Sequence, residues 1–214
     1  MEFTTFFFDL DDTLYPANSG VWNAIRERID RYLLERIGIP REEINTVRNT
    51  LTRTYGTTLR GLQMTRAVDE QDYLAYVHNV PVDRLLSPAP GLRALLRRYP
   101  QRKIIFTNAD TPHALRVLNA LQIRDCFDQI IDIHAVAPYC KPMPETYPLA
   151  LRLAGEPEAA RCVFLDDSPT NLQPAQQSGW YTIRVGSREP GAAYQAAIRS
   201  LEELPTVLPL NGVH

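Results

Sequence analysis

Apolar positions along the chain fall into two patterns. Residues 3–8, 103–107, 129–133, 162–165 and 181–185 are short, nearly continuous apolar runs rich in aromatic and β-branched side chains. That pattern predicts strands of a parallel sheet covered on both faces. Between the later runs the period lengthens. Residues 90–98 lead into the second strand, 111–121 repeat Leu115, Leu118 and Leu121, 145–154 carry Tyr147, Leu149, Leu151 and Leu153, and 169–178 stop at Gly179. These predict helices. Strands alternating with helices predict an α/β fold, a doubly wound (Rossmann-like) parallel sheet.

The interval between the first two strands breaks this alternation. Residues 21–36, 41–55 and 70–78 read as helices, and the proline-rich stretch 81–90 reads as a linker. The expected division is an α/β core domain of residues 1–15 and 89–214 with an inserted helical cap domain of residues 16–88. A lid placed there can close over the carboxyl ends of the strands, where open α/β sheets bind ligands.

Composition narrows the class. The 214 residues are 44% hydrophobic and 22% charged with a net charge of -2. That suits a folded domain and offers no electrostatic footprint for a nucleic acid polymer or an acidic membrane. Cys126, Cys140 and Cys162 are widely spaced, which argues against a disulfide framework or a zinc site. The short run of residues 6–8 meets acids at once, unlike a signal peptide, and no stretch approaches the roughly 18 apolar residues of a spanning helix. A cytoplasmic protein is expected, and pairing into a homodimer stays open.

Chemistry-bearing residues sit at the ends of the predicted strands. The first strand runs into Asp9-Leu10-Asp11-Asp12-Thr13-Leu14-Tyr15. Clustered carboxylates repel one another unless a cation joins them, and oxygen ligands suit magnesium. An acidic turn is the bland alternative. The second strand ends in Thr107-Asn108-Ala109-Asp110, whose amides approach a helix start, a geometry that binds phosphate or merely caps a helix. Lys141, in Cys140-Lys141-Pro142, is expected to open the helix containing Glu145, where it opposes the dipole unless it faces an anion. The fourth strand ends in Asp166-Asp167-Ser168, with Asn171 following.

Taken in order, these segments resemble the haloacid-dehalogenase-like hydrolase superfamily, whose signature is Asp-x-Asp-x-Thr, then Thr or Ser, then Lys, then paired Asp. The resemblance implies that Asp9 is the nucleophile and forms an aspartyl-phosphate, and that Asp11 is the general acid–base. It implies Mg2+ held by Asp9, the carbonyl of Asp11, Asp166 and Asp167. Thr107, the amide of Asn108 and Lys141 would bind the phosphate of a small phosphorylated metabolite. Thr13 would help orient the acid–base group, with Ser168 and Asn171 in support. The dehalogenase branch attacks carbon without a metal and lacks the acid at Asp11, so the chain looks like the phosphate-handling majority. The position of the insert resembles the helical-cap subgroup.

Phe8 to Tyr15, the cap stretch Tyr55-Gly56-Thr57-Thr58-Leu59-Arg60-Gly61-Leu62, Phe106-Thr107-Asn108-Ala109 and Glu203-Leu204-Pro205 resemble pyrimidine 5'-nucleotidases. That implies a pyrimidine nucleoside 5'-monophosphate as substrate, with Tyr55 or Arg60 either contacting the nucleoside or serving the fold. A phosphomutase on a sugar phosphate shares the motifs. A receiver-like or non-catalytic phosphate-binding protein is the reading from another class, but receivers are shorter and order these residues differently. His78, His113, His134 and His214 read as structural or surface residues, and Trp22 and Trp180 as packing.

Overall fold

The structure, a computed structural model, describes residues 2–156 and 158–210. Strand β1 (Thr5–Phe8) has no exposed side chain, so it can sit only in the interior of a sheet covered on both sides. It does so in a six-stranded sheet of order β3-β2-β1-β4-β5-β6, with β2 at Arg102–Phe106, β3 at Gln129–Ile131, β4 at Cys162–Asp166, β5 at Tyr181–Val185 and β6 at Ala196–Ile198. Every neighbouring pair is parallel. The α/β, doubly wound expectation is met. The strand absent from the sequence reading is β6, three residues long with alanine at two positions, too short and too weakly apolar to stand out.

Side chains alternate across a strand, and the sheet has a core on each face. Phe7, Ile104, Phe106 and Phe164 surround Trp180, with Tyr147, Leu172 and Ala175 from helices α8 (Thr146–Ala154) and α9 (Pro169–Gln177). Phe6, Phe8, Ile105, Val163 and Leu165 face the other way, toward α6 (Pro90–Arg97) and α7 (Thr111–Ala120). That second cluster continues without a break into Val21, Ile25, Leu59 and Tyr73 of the segment between β1 and β2.

The intervening segment is helical, as the sequence predicts, in α1 (Val21–Tyr32), continued by a π-helical stretch at Leu33–Ile37, α2 (Ile44–Tyr55) and α4 (Glu70–Val77); it adds α3 (Thr58–Thr65) and a short α5 (Val82–Leu85), the latter inside the stretch expected to be a linker. Helix α3 is a finding of the structure. Thr57 caps it by accepting from the Arg60 amide at 3.1 Å. Gly61 lets it lie against α2, since a Cβ there would stand 2.7 Å from Leu51 Cβ. Leu59, Arg60, Leu62, Gln63 and Met64 favour a helix, and the stretch is short and interrupted by Gly61, so its period does not stand out along the chain. No helix of the described residues is long and apolar enough to cross a membrane.

Candidate active site

Register brings the motif residues together. Phe8 is level with Ile105 on one side and Leu165 on the other, so the next residues, Asp9, Phe106 and Asp166, emerge side by side at the carboxyl edge of the sheet. Strand order reverses beside β1, the position where α/β sheets open a crevice. A cavity of about 1120 Å3 lies there, lined by Asp9, Asp11, Thr107, Asn108, Lys141 and Asp167 from the sheet edge and by side chains of α1 and α2 opposite.

Lys141 is the centre of the charge cluster. Its Nζ donates to Asp9 Oδ1 at 2.6 Å, to Asp166 Oδ2 at 2.8 Å and to the Phe106 carbonyl at 2.8 Å. It is 1% exposed. It does not open a helix, as the sequence reading expects: α8 begins at Thr146, and Lys141 lies in the turns before it. The dipole argument therefore falls. What places Lys141 is Asn108, whose side-chain amide donates to the Lys141 carbonyl at 2.8 Å while its Oδ1 accepts from the Lys141 amide at 2.9 Å. The side chain of Asn108 is thus engaged with the lysine loop, and its own backbone N–H makes no hydrogen bond among the described residues. Thr107 is buried, and its hydroxyl accepts from the Ala109 amide at 3.0 Å.

Asp9, Asp166 and Asp167 each offer a carboxylate oxygen within 4.8 Å of the others. Burial drives the Asp9 carboxyl well above its ordinary range. Lys141 opposes this, and the charges of Asp166 and Asp167 add to it. Burial also pushes Asp167 up to about 7, with Asp166 and Asp12 contributing. Lys141 is held above the usual lysine value: burial works against its charge, but Asp166 and Asp9 outweigh it. Three carboxylates thus share one ammonium. The donor set is all oxygen and its excess charge is negative, so the residues fit a hard divalent cation such as Mg2+. Asp166 is further fixed by the Ser168 amide at 2.8 Å and by Asn171 Nδ2 at 3.1 Å to each oxygen, which gives both sequence-chosen supporting residues a contact.

Asp11 stands apart from that cluster. Its Oδ1 accepts from the Tyr15 hydroxyl and meets His113 Nε2 at 2.9 Å. Burial pushes its carboxyl up, but the charge His113 can carry and the hydrogen bonds of His113 and Tyr15 outweigh burial, and the net shift is downward. Thr13 does not orient this acid, contrary to the sequence reading. Its hydroxyl lies 3.4 Å from Asp9 Oδ2 and accepts from the Asp167 amide at 3.1 Å, tying the nucleophile to the second acid pair.

His113 is the residue that sequence reasoning passed over. It has no exposed surface, and its ring stacks on His78 with centroids 4.5 Å apart. A lone histidine two residues into a helix carries no sequence signal for this contact. His214 lies outside the described residues. Trp180 packs in the core as expected, but Trp22 does not: it is 42% exposed and lines the cavity. Of the two cap candidates, Arg60 is buried and spent on the fold, donating to Glu70 Oε2 at 2.7 Å and to the Ile133 carbonyl at 2.8 Å. Tyr55 packs against the apolar cluster.

Residues 3–179 match the family described as haloacid dehalogenase-like hydrolase. Phosphate metabolism protein 8 of Saccharomyces cerevisiae is 28% identical over 188 residues, which cover 81% of this chain and 59% of that protein. The chain thus spans less than two thirds of that relative's length. YfnB of Bacillus subtilis, a HAD-hydrolase solved bound to magnesium, superposes with a TM-score of 0.67 at 20% identity, covering 97% of this chain and 99% of YfnB. The L-2-haloacid dehalogenase of Xanthobacter autotrophicus, with chloropropionic acid covalently bound, gives 0.61 at 18% identity, covering 98% of this chain and all (100%) of the dehalogenase chain. At such identities the likeness speaks to the fold alone.

Proposed function

The chain belongs to the haloacid dehalogenase-like hydrolase family, and from that premise we propose that it is a magnesium-dependent phosphohydrolase that takes the phosphoryl group from a pyrimidine nucleoside 5'-monophosphate through an aspartyl-phosphate on Asp9. The fold is shared with enzymes that attack carbon, so the choice rests on the residues. The observation that carries it is the cluster of Asp9, Asp166 and Asp167 with Lys141 as its cation. Such a cluster carries an excess of negative charge that a divalent cation would offset, and the unpaired Asn108 amide beside it offers a donor to a phosphate oxygen.

Asp9, Asp166, Asp167 and the carbonyl of Asp11 would hold Mg2+. When bound, the ion supplies positive charge that offsets repulsion between the carboxylates and a phosphate dianion. The free amide of Asn108 offers a hydrogen bond to a phosphate oxygen, and Lys141, whose three N–H groups go to Asp9, Asp166 and the Phe106 carbonyl, supplies positive charge beside it. An Asp9 carboxylate oxygen attacks phosphorus in line. The Asp9 O–P bond forms, the bond from phosphorus to the leaving oxygen breaks, and Asp11 gives that oxygen its proton. Water then attacks phosphorus, the Asp9 O–P bond breaks, and Asp11 takes the water's proton back. Asp11 is held low in the free protein. A phosphate dianion beside it pushes the same carboxyl up, so proton uptake accompanies substrate binding.

The nucleotide assignment draws on the wall facing the acids. There α1 presents Trp22 and Arg26, and α2 presents Asn45, Asn49 and Arg53. A flat aromatic face among amide and guanidinium groups suits a planar ring bearing carbonyls and amines better than an acyl chain. Arg26 and Arg53 form no salt bridge among the described residues.

The test is phosphate release from UMP, CMP, AMP, GMP, sugar phosphates and p-nitrophenyl phosphate, with Mg2+ and with a chelator. Magnesium-dependent release favouring UMP or CMP is the expected result. Release without preference keeps the phosphohydrolase and overturns the nucleotide assignment. Release untouched by the chelator overturns the metal, and no release from any ester overturns the whole reading.

A further inference from the structure

We infer that His113, together with Tyr15, positions Asp11 by closing its Oδ1, so that Oδ2 is the oxygen that exchanges protons with the leaving group and with water. The inference rests on the phosphohydrolase reading but adds a residue outside the acid clusters. A carboxylate oxygen has two lone-pair sites. On Asp11 both sites of Oδ1 are used, by the Tyr15 hydroxyl and by His113 Nε2 at 2.9 Å. Oδ2 receives no hydrogen bond among the described residues, yet it is not one of the enclosed, partnerless atoms, and Asp11 lines the cavity that holds Asp9. The oxygen left over is the one open to the reaction.

His113 is itself held through its backbone and its ring. Its backbone amide donates to Asp110 Oδ1 at 3.0 Å, the cap of α7. Its ring lies against His78 with 16° between the planes. Arg116 Nη2 lies 3.4 Å from its Nδ1. A guanidinium can only donate, so in the neutral ring Nδ1 is the acceptor, and in the neutral and the charged ring alike Nε2 carries the hydrogen that faces Asp11. His78 is braced in turn: Asp110 Oδ1 lies 2.9 Å from its Nδ1, at ion-pair distance though not aligned as a hydrogen bond. A core histidine wanted only for packing has no need of a nitrogen aimed at the acid–base carboxylate. Here the first turn of α7, a cap and a stacked partner all fix the direction of that nitrogen.

The test uses the full chain with Mg2+ and p-nitrophenyl phosphate. His113→Leu keeps much of the volume and removes the donor. Loss of one hydrogen bond to a charged group should lower kcat by about ten- to a hundredfold, with KM falling alongside it because the slowed step follows formation of the aspartyl-phosphate. Nitrophenolate is a good leaving group that needs no proton, whereas hydrolysis of the aspartyl-phosphate needs Asp11 as base. His113→Leu should therefore show a burst of nitrophenolate followed by slow turnover. His113→Gln, whose amide nitrogen reaches the region of Nε2, should recover most of the loss. A merely structural role would show no burst and no recovery by Gln. Tyr15→Phe removes the other donor to the same oxygen and should slow the same step, which keeps the test intact where His113→Leu does not fold. Undiminished kcat in a folded His113→Leu or in Tyr15→Phe overturns the inference alone, as does a Gln variant as slow as Leu. No turnover by the wild type overturns the phosphohydrolase reading and this inference with it.

Discussion

Asn108 and Lys141 hold each other by two hydrogen bonds, the Asn108 amide to the Lys141 carbonyl at 2.8 Å and the Lys141 amide to Asn108 Oδ1 at 2.9 Å. The end of β2 is thereby locked to the loop that delivers the lysine. Asn108→Ala breaks both bonds. It should destabilise the protein by about 1–3 kcal/mol and, by letting Lys141 drift, lower kcat/KM by roughly tenfold or more. Thermal melts and steady-state kinetics check both. Unchanged kcat/KM would show that Lys141 needs no such clamp.

Asp9 is both the proposed nucleophile and a source of strain, since it shares its buried surroundings with Asp166 and Asp167. Asp9→Asn keeps the shape and removes one charge. Turnover should vanish, while the midpoint of thermal unfolding without metal should rise by roughly a few degrees. Added Mg2+ should stabilise this variant less than the wild type. Retained turnover would dismiss the nucleophile.

The metal-free protein should lose stability as pH rises. Asp167 is pushed up to about 7 and Asp12 to about 6, burial being the main cause in each, and Asp9 is raised as well. Each binds its proton more tightly folded than unfolded, where ordinary carboxyl values near ~4 apply. The folded state therefore loses ground from about pH 4 to about pH 7, where only the unfolded chain has ionised these groups. His78 acts in the opposite sense below about 6.5, because burial holds it low despite Asp110. Three carboxyls outweigh one imidazole. Melting in chelator should show a falling midpoint from about pH 5 to about pH 7.5, and excess Mg2+ should flatten it. A chelator profile that rises over that range would contradict the assignment.

Gly56 ends α2 and carries the chain past the lysine loop. Its φ is +85°, and a Cβ there would lie 2.8 Å from Cys140 Sγ and 3.1 Å from the Lys141 carbonyl. Gly56→Ala should cost about 1–3 kcal/mol and depress activity through Lys141. Parallel kinetics and melts with Asn108→Ala test this, since both variants should fail at the same point.

Trp22→Ala separates the two halves of the substrate. If Trp22 faces the base, KM for UMP should rise by about tenfold, in keeping with a stacking contact of about 1–3 kcal/mol, while turnover of p-nitrophenyl phosphate changes little. Equal effects on both substrates would return Trp22 to a structural role.

Much of this molecule is legible along the chain because strand ends bear its chemistry. An apolar run buried on both faces can only be an inner strand, and a charged residue that follows it must leave the sheet at its edge. Asp9, Thr107 and Asp166 follow from that rule, and so do the parallel sheet and the helical insert. Short elements escape it. β6 has too few apolar residues for its burial to be read, and α3 is a short helix whose glycine, needed for its approach to Leu51, interrupts the period.

What only the tertiary structure decided is which group each side chain faces. The sequence by itself determined that Asp11, Thr13, Lys141 and Trp22 exist at their spacings. It did not determine that Thr13 serves Asp9 and Asp167, that Asn108 and not a helix dipole places Lys141, that Trp22 stands in the cavity, or that His113, 102 positions from Asp11, holds its Oδ1. Periodicity reports local burial, which each segment carries with it. Contacts between distant segments depend on strand register and helix packing, which exist only once the whole chain has closed its core.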